Sequence, residues 1–292
     1  MRLAIPDLIS NSYFPAIAAV ELGCFQEQGL DVGLELLFPV TKTVAALRAG
    51  DLDLMAGAAH VVPSAFPGWR GARLLGALAQ RMYWLLVLRA DLPGQRGDLS
   101  VLPRLRIGAA PGPDAGLVKL LADAGIQGVQ VGPIPGADEP GVSFGVTAAK
   151  ALEAGQLDGF WANAMGAEVA VRRGVGRVVL DVRRGDGPPA SLTYTFPALV
   201  VRDDLPLDQA RAAYRALVRA QEMLREDPTR ATAIGEKLFP PMEASLIAEL
   251  IRRDLPYYDP SIPRQAFRDV NTFAGVDEPL AYEQVVLTHA QA

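Results

Sequence analysis

Residues 45–53 read AALRAGDLD, and residues 149–158 read AKALEAGQLD. In each stretch a short helical pattern reaches a glycine (Gly50 in the first, Gly155 in the second), turns, and enters an apolar run behind an aspartate. Glycine often ends a helix because it adopts the left-handed conformation without steric cost. Both stretches therefore predict a helix–turn–strand connection, and their repetition indicates two similar α/β lobes.

The sequence around the first copy alternates short apolar runs with helical patterns. Such alternation is typical of βαβ units and of a mainly parallel sheet. The helix predicted at 13–22 has Ser12 as its N-cap and Gly23 as its end. The other elements predicted here are strands at 3–6, 31–38, 52–56, 73–78 and 84–89 and helices at 41–49 and 61–66.

A second series follows the polar, turn-forming stretch 91–98. A stretch of this composition is expected of a crossing between lobes or a surface loop. The series consists of strands at 105–109, 129–131, 157–161 and 175–182 and helices at 114–124, 146–153 and 166–173.

A long β-type run at 192–201 then carries the chain back, and the pattern is helical from residue 207 onward. These C-terminal helices fit packing on the first lobe, which makes that lobe discontinuous. We therefore predict lobe I from residues 1–89 and 198–292, lobe II from residues 90–197, and a ligand cleft between them.

Composition excludes several classes of protein. The chain has 292 residues and a formal net charge of −5, and its Lys and Arg residues form no basic stripe, so a nucleic-acid binder is set aside. Cys24 is the single cysteine and His60 and His289 are the only histidines, which excludes an internal disulfide and leaves few ligands for zinc. No apolar run approaches the roughly 18 residues of a membrane span.

The start of the chain bears on its location. A strand-like run begins at Arg2, which leaves no room for the charged and apolar segments of a secretory signal. A periplasmic or extracytoplasmic location is expected if a leader has been removed, and a cytoplasmic one otherwise.

Ligands of open parallel sheets bind beyond the carboxyl ends of the strands, where loops lead into helix N-termini. This rule selects the loops that follow each predicted strand. The residues predicted to bind a ligand are Asn11, Ser12, Tyr13, Phe14, Thr41, Gly57, Ala58, His60, Arg81, Trp84, Gly112, Pro113, Asp114, Trp161, Asn163 and Tyr194.

These residues offer helix-start amides, which attract anions, and aromatic rings, which can enclose a flat or apolar group. They suggest a solute with a polar or anionic end and an apolar or aromatic body. Structural alternatives stay open: Thr41 also fits a plain N-cap, Trp84 a core strand, and Arg81 an exposed surface residue. No nucleophile–base set, carboxylate pair or metal cluster emerges, so we predict no catalytic residue, metal or cofactor.

Three stretches carry a resemblance to a known group of proteins. Residues 13–32, YFPAIAAVELGCFQEQGLDV, are similar to the opening helix and the G-aromatic-F-x-x-x-G-Leu-Asp-Val tail of the nitrate, sulfonate, taurine and thiamine-pyrimidine group of periplasmic binding proteins. Cys24 stands where that group usually has an aromatic residue. Residues 45–53 and 149–161 are similar to the matching passages of its two lobes.

The resemblance covers roughly the whole chain and implies the α/β, type II periplasmic binding protein fold. In that fold each of two lobes is a mainly parallel sheet flanked by helices. It further implies the solute-binding component of an ABC importer, a monomer that captures a small organic solute by hinge closure and delivers it to a permease. The hinge is expected near residues 89–92 and 194–199.

An enzyme and a sensor are the alternatives. The thiamine-pyrimidine synthase of the same fold has a pattern that resembles residues 54–60, with a histidine where His60 stands. It also has a lysine four residues earlier and a cysteine-rich motif, whereas this chain has Ala56 there and Cys24 as its one cysteine. Both departures argue against that activity. A decarboxylase or a ligand sensor of the same fold remains open, since fold does not determine function.

Overall fold

The computed structural model describes residues 1–137 and 143–287 of the chain. Ten strands lie in this described part, and they are numbered in chain order. They are β1 (Arg2–Ile5), β2 (Gly33–Leu36), β3 (Leu54–Ala58), β4 (Ala72–Ala77), β5 (Leu85–Arg89), β6 (Arg106–Ala109), β7 (Gln130–Gly132), β8 (Gly159–Ala162), β9 (Gly176–Asp181) and β10 (Pro197–Arg202).

The helices of the described part range from single turns to a 20-residue helix, α8. They are α1 (Phe14–Glu21), α2 (Cys24–Glu27), α3 (Val40–Ala49), α4 (Val62–Ala65), α5 (Pro113–Asp123), α6 (Phe144–Glu153), α7 (Ala164–Arg172), α8 (Leu207–Glu226), α9 (Arg230–Leu238), α10 (Pro241–Asp254), α11 (Arg264–Ala274) and α12 (Tyr282–Val285). In the described part, no helix combines the length and the apolar character needed to cross a membrane.

The chain divides into two compact units. The first consists of Met1–Arg81 and the chain from Thr193 onward, and the second of Met82–Leu192. Both changes of unit come earlier in the sequence than the predicted boundaries at 89/90 and 197/198, and earlier than the predicted hinge segments. The difference at the first boundary is β5, which pairs with β8 and β9 of the second sheet and therefore belongs with the second unit.

The two units have the same sheet topology. The strand order is β2-β1-β3-β10-β4 in the first and β7-β6-β8-β5-β9 in the second. In each sheet the fourth strand in this order, β10 or β5, runs antiparallel to both of its neighbours. The other four strands of each sheet run in one direction. The prediction of two α/β lobes with mainly parallel sheets is thus confirmed.

The repeated sequence motif leads into the third strand of each sheet in this order. Asp53 lies just before β3 and accepts a hydrogen bond from the backbone N–H of Arg2, at 2.7 Å. Asp158 lies just before β8 and accepts one from the backbone N–H of Arg106, at 3.0 Å. Because Arg2 and Arg106 begin the adjacent strands β1 and β6, each aspartate joins the starts of two parallel strands.

Several predicted element boundaries are wrong. Ser12 does not cap α1, which begins at Phe14 with Tyr13 as an N-cap that makes no side-chain bond. Thr41 is not an N-cap either: α3 begins at Val40, and Pro39, in an extended conformation, is its N-cap. The predicted strand at 192–201 begins only at Pro197, where pairing with β3 and β4 starts.

Side-chain packing joins the C-terminal helices to the first sheet. Gln221 of α8 is fully buried, and its Nε2 donates to the carbonyl oxygens of Ala77 and Leu78 at the end of β4, at 3.0 and 2.9 Å. Trp69 donates from Nε1 to Asn271 Oδ1 on α11, at 2.6 Å. Buried polar groups need partners of this kind, so these bonds fix how α8 and α11 lie on the unit.

Candidate functional site

The carboxyl edge of each sheet collects residues from several strands. In the first unit this edge receives the loops that follow β1, β2, β3 and β4. Because β10 is antiparallel, its amino end reaches the same edge, and Pro197 lies opposite Ala58. In the second unit the same geometry brings the start of β5 beside the ends of β6, β8 and β9. We describe each edge separately.

The loop between β1 and α1 is buried at the first edge. Asn11, Ser12 and Tyr13 are each at most 2% exposed. The Asn11 amide donates from Nδ2 to the carboxylate of Asp254, at 2.7 Å, and Asp254 ends α10. Phe14 contacts Phe239 edge-on with a centroid distance of 6.3 Å, which makes it part of the interior packing.

His60 belongs to a ring cluster on the first edge. Its Nδ1 is 3.1 Å from Thr195 Oγ1, and its ring centroid is 5.0 Å from that of Phe273. Phe273 in turn stacks on Tyr194, with centroids 4.9 Å apart and planes 4° from parallel. His60 and Tyr194, both predicted from sequence, are thus brought together by Phe273 of α11. Aromatic rings stacked in this way can pack against a flat or apolar group.

The other predicted residues of the first unit have different surroundings. Gly57 and Ala58 lie within β3, and a side chain at Gly57 would meet the side chains of Met55 and Val40. Thr41 is exposed in the first turn of α3. Arg81 is exposed with its guanidinium over the ring of Tyr257, 5.5 Å from the centroid.

A cavity of about 350 Å³ adjoins His60 within the first unit. Its walls come from α4, from the turn around Gly68, and from the chain that follows α11. Arg70 supplies a positive charge to the lining, and Asp277 and Glu278 supply negative ones. His60 is therefore both a member of the ring cluster and a wall of this cavity.

On the second edge, the loop after β6 is held by Asp114. One carboxylate oxygen, Oδ1, accepts from the backbone N–H groups of Gly112 and Ala115, both at 2.9 Å. The carbonyl of Pro113 accepts from Nε1 of Trp161, at 3.0 Å. Three predicted residues, Gly112, Pro113 and Asp114, therefore form an ordered turn that is tied to a fourth.

The aromatic residues of the second edge form a buried group. The rings of Trp84 and Trp161 have centroids 6.0 Å apart, and Tyr83 lies 4.9 Å from Trp84. Gly116 of α5 approaches this group so closely that a Cβ there would lie 2.7 Å from Trp84 Cζ3. Both tryptophans are fully buried, which fits the alternative that Trp84 is a core residue.

Asn163 has a structural role at the second edge. It is the N-cap of α7, and its Oδ1 accepts from the backbone N–H of Gly166, at 3.2 Å. An asparagine in this position stabilises the first turn of a helix.

Burial changes the acid–base behaviour of two groups outside the predicted set. Desolvation raises the pKa of Asp181 at the end of β9, although Arg184 and Arg183 act in the opposite direction. Burial also raises the pKa of the Cys24 thiol to about 11. Within residues 1–137 and 143–287 no group of three His, Cys, Asp or Glu side chains is arranged to hold a metal ion. His289 lies outside the described residues.

Three residues of these two edges were missed by sequence reasoning: Phe273, Asp254 and Arg183. Asp254 contacts a residue 243 positions away. Arg183 is 5% exposed and lies over the Tyr83 ring, 5.8 Å from its centroid.

Comparison with known proteins supports the fold. No protein-family model matches the chain. No curated protein sequence matches it either.

Among solved structures, a protein from Bordetella bronchiseptica RB50 shares 19% identity at a TM-score of 0.75, covering 99% of this chain and 95% of that chain. The alkanesulfonate-binding protein from Xanthomonas axonopodis pv. citri, bound to MOPS, shares 14% identity at 0.71, covering 98% and 97%. A mutant of the enzyme DszB in complex with biphenyl-2-sulfinic acid shares 16% identity at 0.65, covering 99% and 97%.

These similarities are too low in sequence identity to show more than the fold. Other structural neighbours include periplasmic sulfonate-binding and nitrate-binding proteins. The chain therefore has the fold of the periplasmic binding proteins of the sulfonate and nitrate group, as the sequence resemblance implied.

Proposed function

We propose that this chain is the solute-binding component of an import system and that it captures a small organic solute without transforming it. The observation that carries the proposal is the duplicated carboxyl edge. One unit has the cluster of His60, Tyr194 and Phe273 at this edge, and the other has the buried residues Trp84, Trp161 and Asn163. Two similar edges, each with aromatic rings and polar groups, suit a solute with a flat or apolar body and a polar end.

The polar groups favour a solute that accepts hydrogen bonds. Asn163 offers an amide nitrogen and His60 a ring nitrogen, and the cavity beside His60 is lined by Arg70 together with Asp277 and Glu278. Sulfonates, carboxylates and nitrate are acceptors of this kind. The formal charge of −5 for the whole chain does not oppose an anion, because a local site can differ in sign from the overall surface.

The capture mechanism we propose is hinge closure around one solute. The chain changes unit at Arg81–Met82 and at Leu192–Thr193, so these two connections are the proposed hinge. In this proposal a permease recognises the closed form of the protein. We also propose that the protein is a monomer and that its location is periplasmic or extracytoplasmic.

The direct test is calorimetric titration of the purified protein with MOPS, methanesulfonate, nitrate, benzoate and thymine. We expect at least one of them to bind with one site per chain and a micromolar Kd, about −8 kcal/mol. Each bound probe is then recovered after prolonged incubation and analysed by mass spectrometry. Recovery of unchanged probe supports a binding protein. Absence of binding by all five, together with no small molecule released when the purified protein is denatured, contradicts the proposal.

The second candidate is an enzyme of the same fold. The observation in its favour is the structural similarity to DszB, which extends over 99% of this chain. The same incubation distinguishes the two: conversion of biphenyl-2-sulfinic acid or of any panel member, at a rate that His60→Ala abolishes, would replace the binding proposal.

A further inference from the structure

The protonation state of His60 can be derived from its partner on β10. The β3–β10 pairing continues past the end of β3, where the Ala59 N–H donates to the Phe196 carbonyl oxygen at 2.9 Å. At the next pair, the backbone N–H of His60 donates to Thr195 Oγ1, at 3.3 Å. The same hydroxyl lies 3.1 Å from Nδ1 of the His60 ring. Thr195 therefore contacts both the backbone and the ring of one residue.

The hydroxyl hydrogen decides the direction of the second bond. Thr195 is fully buried, so water does not take up its proton. Among the described residues, the backbone N–H and Nδ1 of His60 are the only hydrogen-bond partners of this hydroxyl. A backbone N–H can only donate, which leaves Nδ1 as the acceptor for the Thr195 proton. Nδ1 must then carry a lone pair and no hydrogen.

A histidine whose Nδ1 is an acceptor is neutral and carries its hydrogen on Nε2. An imidazolium would direct a second N–H at Thr195, and the hydroxyl hydrogen would lose its acceptor. We propose that Thr195 is a positioning residue that holds His60 as the neutral Nε2–H tautomer, so that His60 donates a hydrogen bond to an acceptor atom of the bound solute.

The tautomer limits the class of solute that His60 can bind. This limit on the solute rests on the proposed function. A ring that donates from Nε2 recognises an oxygen acceptor such as a sulfonate, carboxylate or nitrate oxygen. It does not suit an ammonium group or a metal ion, which need a lone pair on that nitrogen. The ring of Phe273, whose centroid lies 5.0 Å from that of His60, also packs against the His60 ring.

The tautomer can be measured on the protein without any solute. Histidine ring nitrogens labelled with ¹⁵N are recorded by NMR at pH 7.5, and the His289→Gln variant assigns the signals because the chain has two histidines. We expect the His60 Nδ1 signal in the range of an unprotonated nitrogen and Nε2 in the N–H range. An Nδ1–H tautomer, or a fully protonated ring, would overturn the assignment.

Variants of Thr195 separate positioning from folding. Thr195→Val removes the hydroxyl at nearly equal volume and should give averaged or reversed ring signals, whereas Thr195→Ser should restore those of the wild type. Thr147→Val is the matched control, since Thr147 is also a buried threonine but belongs to α6 of the other unit. If Thr195→Val folds with wild-type ring signals, Thr195 does not set the tautomer.

The second part of the experiment adds MOPS, methanesulfonate, nitrate or benzoate to the labelled protein. Addition of a probe that binds should shift the His60 Nε2 signal, and Thr195→Val should weaken that probe by about 3- to 10-fold, the range expected for one hydrogen bond. Binding that leaves Nε2 unshifted would overturn the donor role. If none of the four binds while the ring signals are as expected, the proposed solute class fails and the tautomer assignment stands.

Discussion

The indole N–H of Trp161 donates a hydrogen bond to the carbonyl oxygen of Pro113, 3.0 Å away. Trp161 lies in β8 and Pro113 begins α5, so the bond joins the end of one strand to the loop that follows its neighbour, β6. Gly112 enters this loop with φ of 100°, a conformation that favours glycine. The second edge is therefore preorganised by its own side chains.

The first prediction follows from that bond. Trp161→Phe keeps an aromatic ring but removes the donor to a buried carbonyl. We expect the free energy of unfolding to fall by about 1–3 kcal/mol, measured by urea denaturation. Val171→Ala, at a position 42% exposed in the same unit, should change it by no more than about 0.5 kcal/mol. Equal stability of wild type and Trp161→Phe would show that the bond contributes nothing.

The second prediction concerns the close approach of α6 and α7. A Cβ at Gly166 would lie 2.5 Å from the carbonyl oxygen of Gly145, a backbone atom that cannot move without displacing the helix. Gly166→Ala should therefore destabilise the protein by about 1–3 kcal/mol. Gly132→Ala is the control, since nothing lies within 4 Å of that position. A thermal melt of both variants checks the difference, and a Gly166→Ala melt that matches the control would refute the helix contact.

The third prediction is a pH dependence. The pKa of Asp158 is lowered, chiefly by the side-chain hydrogen bond from Arg106. A carboxyl group with a lower pKa in the folded chain stabilises that state above about pH 4, its usual value, and loses this contribution as the pH falls through the folded value. The urea concentration at the unfolding midpoint should therefore fall more for wild type than for Asp158→Asn when the pH is lowered from about 5 to about 3, a range that spans the usual pKa of the carboxyl group. Parallel curves would show that the Arg106 bond does not couple to protonation.

The fourth prediction uses Cys24 as a reporter of unfolding. With a pKa of about 11, the buried thiol is ionised in roughly one molecule per thousand at about pH 8. Ellman's reagent should therefore react very slowly with the native protein and rapidly once urea unfolds it. Because Cys24 is the single cysteine, the reaction counts one thiol per chain. Rapid reaction of the native protein would mean that this part of the first unit opens readily.

Much of the fold could be predicted because local sequence patterns indicate its helices, strands and turns. The repeated passages around Gly50 and Gly155 do enter the third strand of each sheet, and both glycines have positive φ, 83° and 69°. The exact strand ends were less predictable. The run before Pro197 has strand-forming residues, but a strand forms only where partners are available, and those partners are β3 and β4.

The candidate site was only partly accessible to sequence reasoning. The rule that ligands bind at carboxyl ends selected His60 and Tyr194, which the structure brings to the same ring cluster. It could not select Phe273, because α11 is remote in sequence and its placement depends on tertiary contacts. The rule also selected Phe14, whose packing on Phe239 has no sequence signature that distinguishes it from an exposed ring.

The most direct test of the central claim is calorimetric titration with MOPS, nitrate and benzoate of four proteins: wild type, His60→Ala, Asn163→Asp and the control Gly132→Ala. Asn163→Asp keeps an oxygen for the α7 cap and removes the amide donor. We predict one site per chain for wild type and control, with affinity at least about tenfold weaker in each of the other two variants. Unchanged affinity in either would contradict the proposal that His60 and Asn163 both bind the solute.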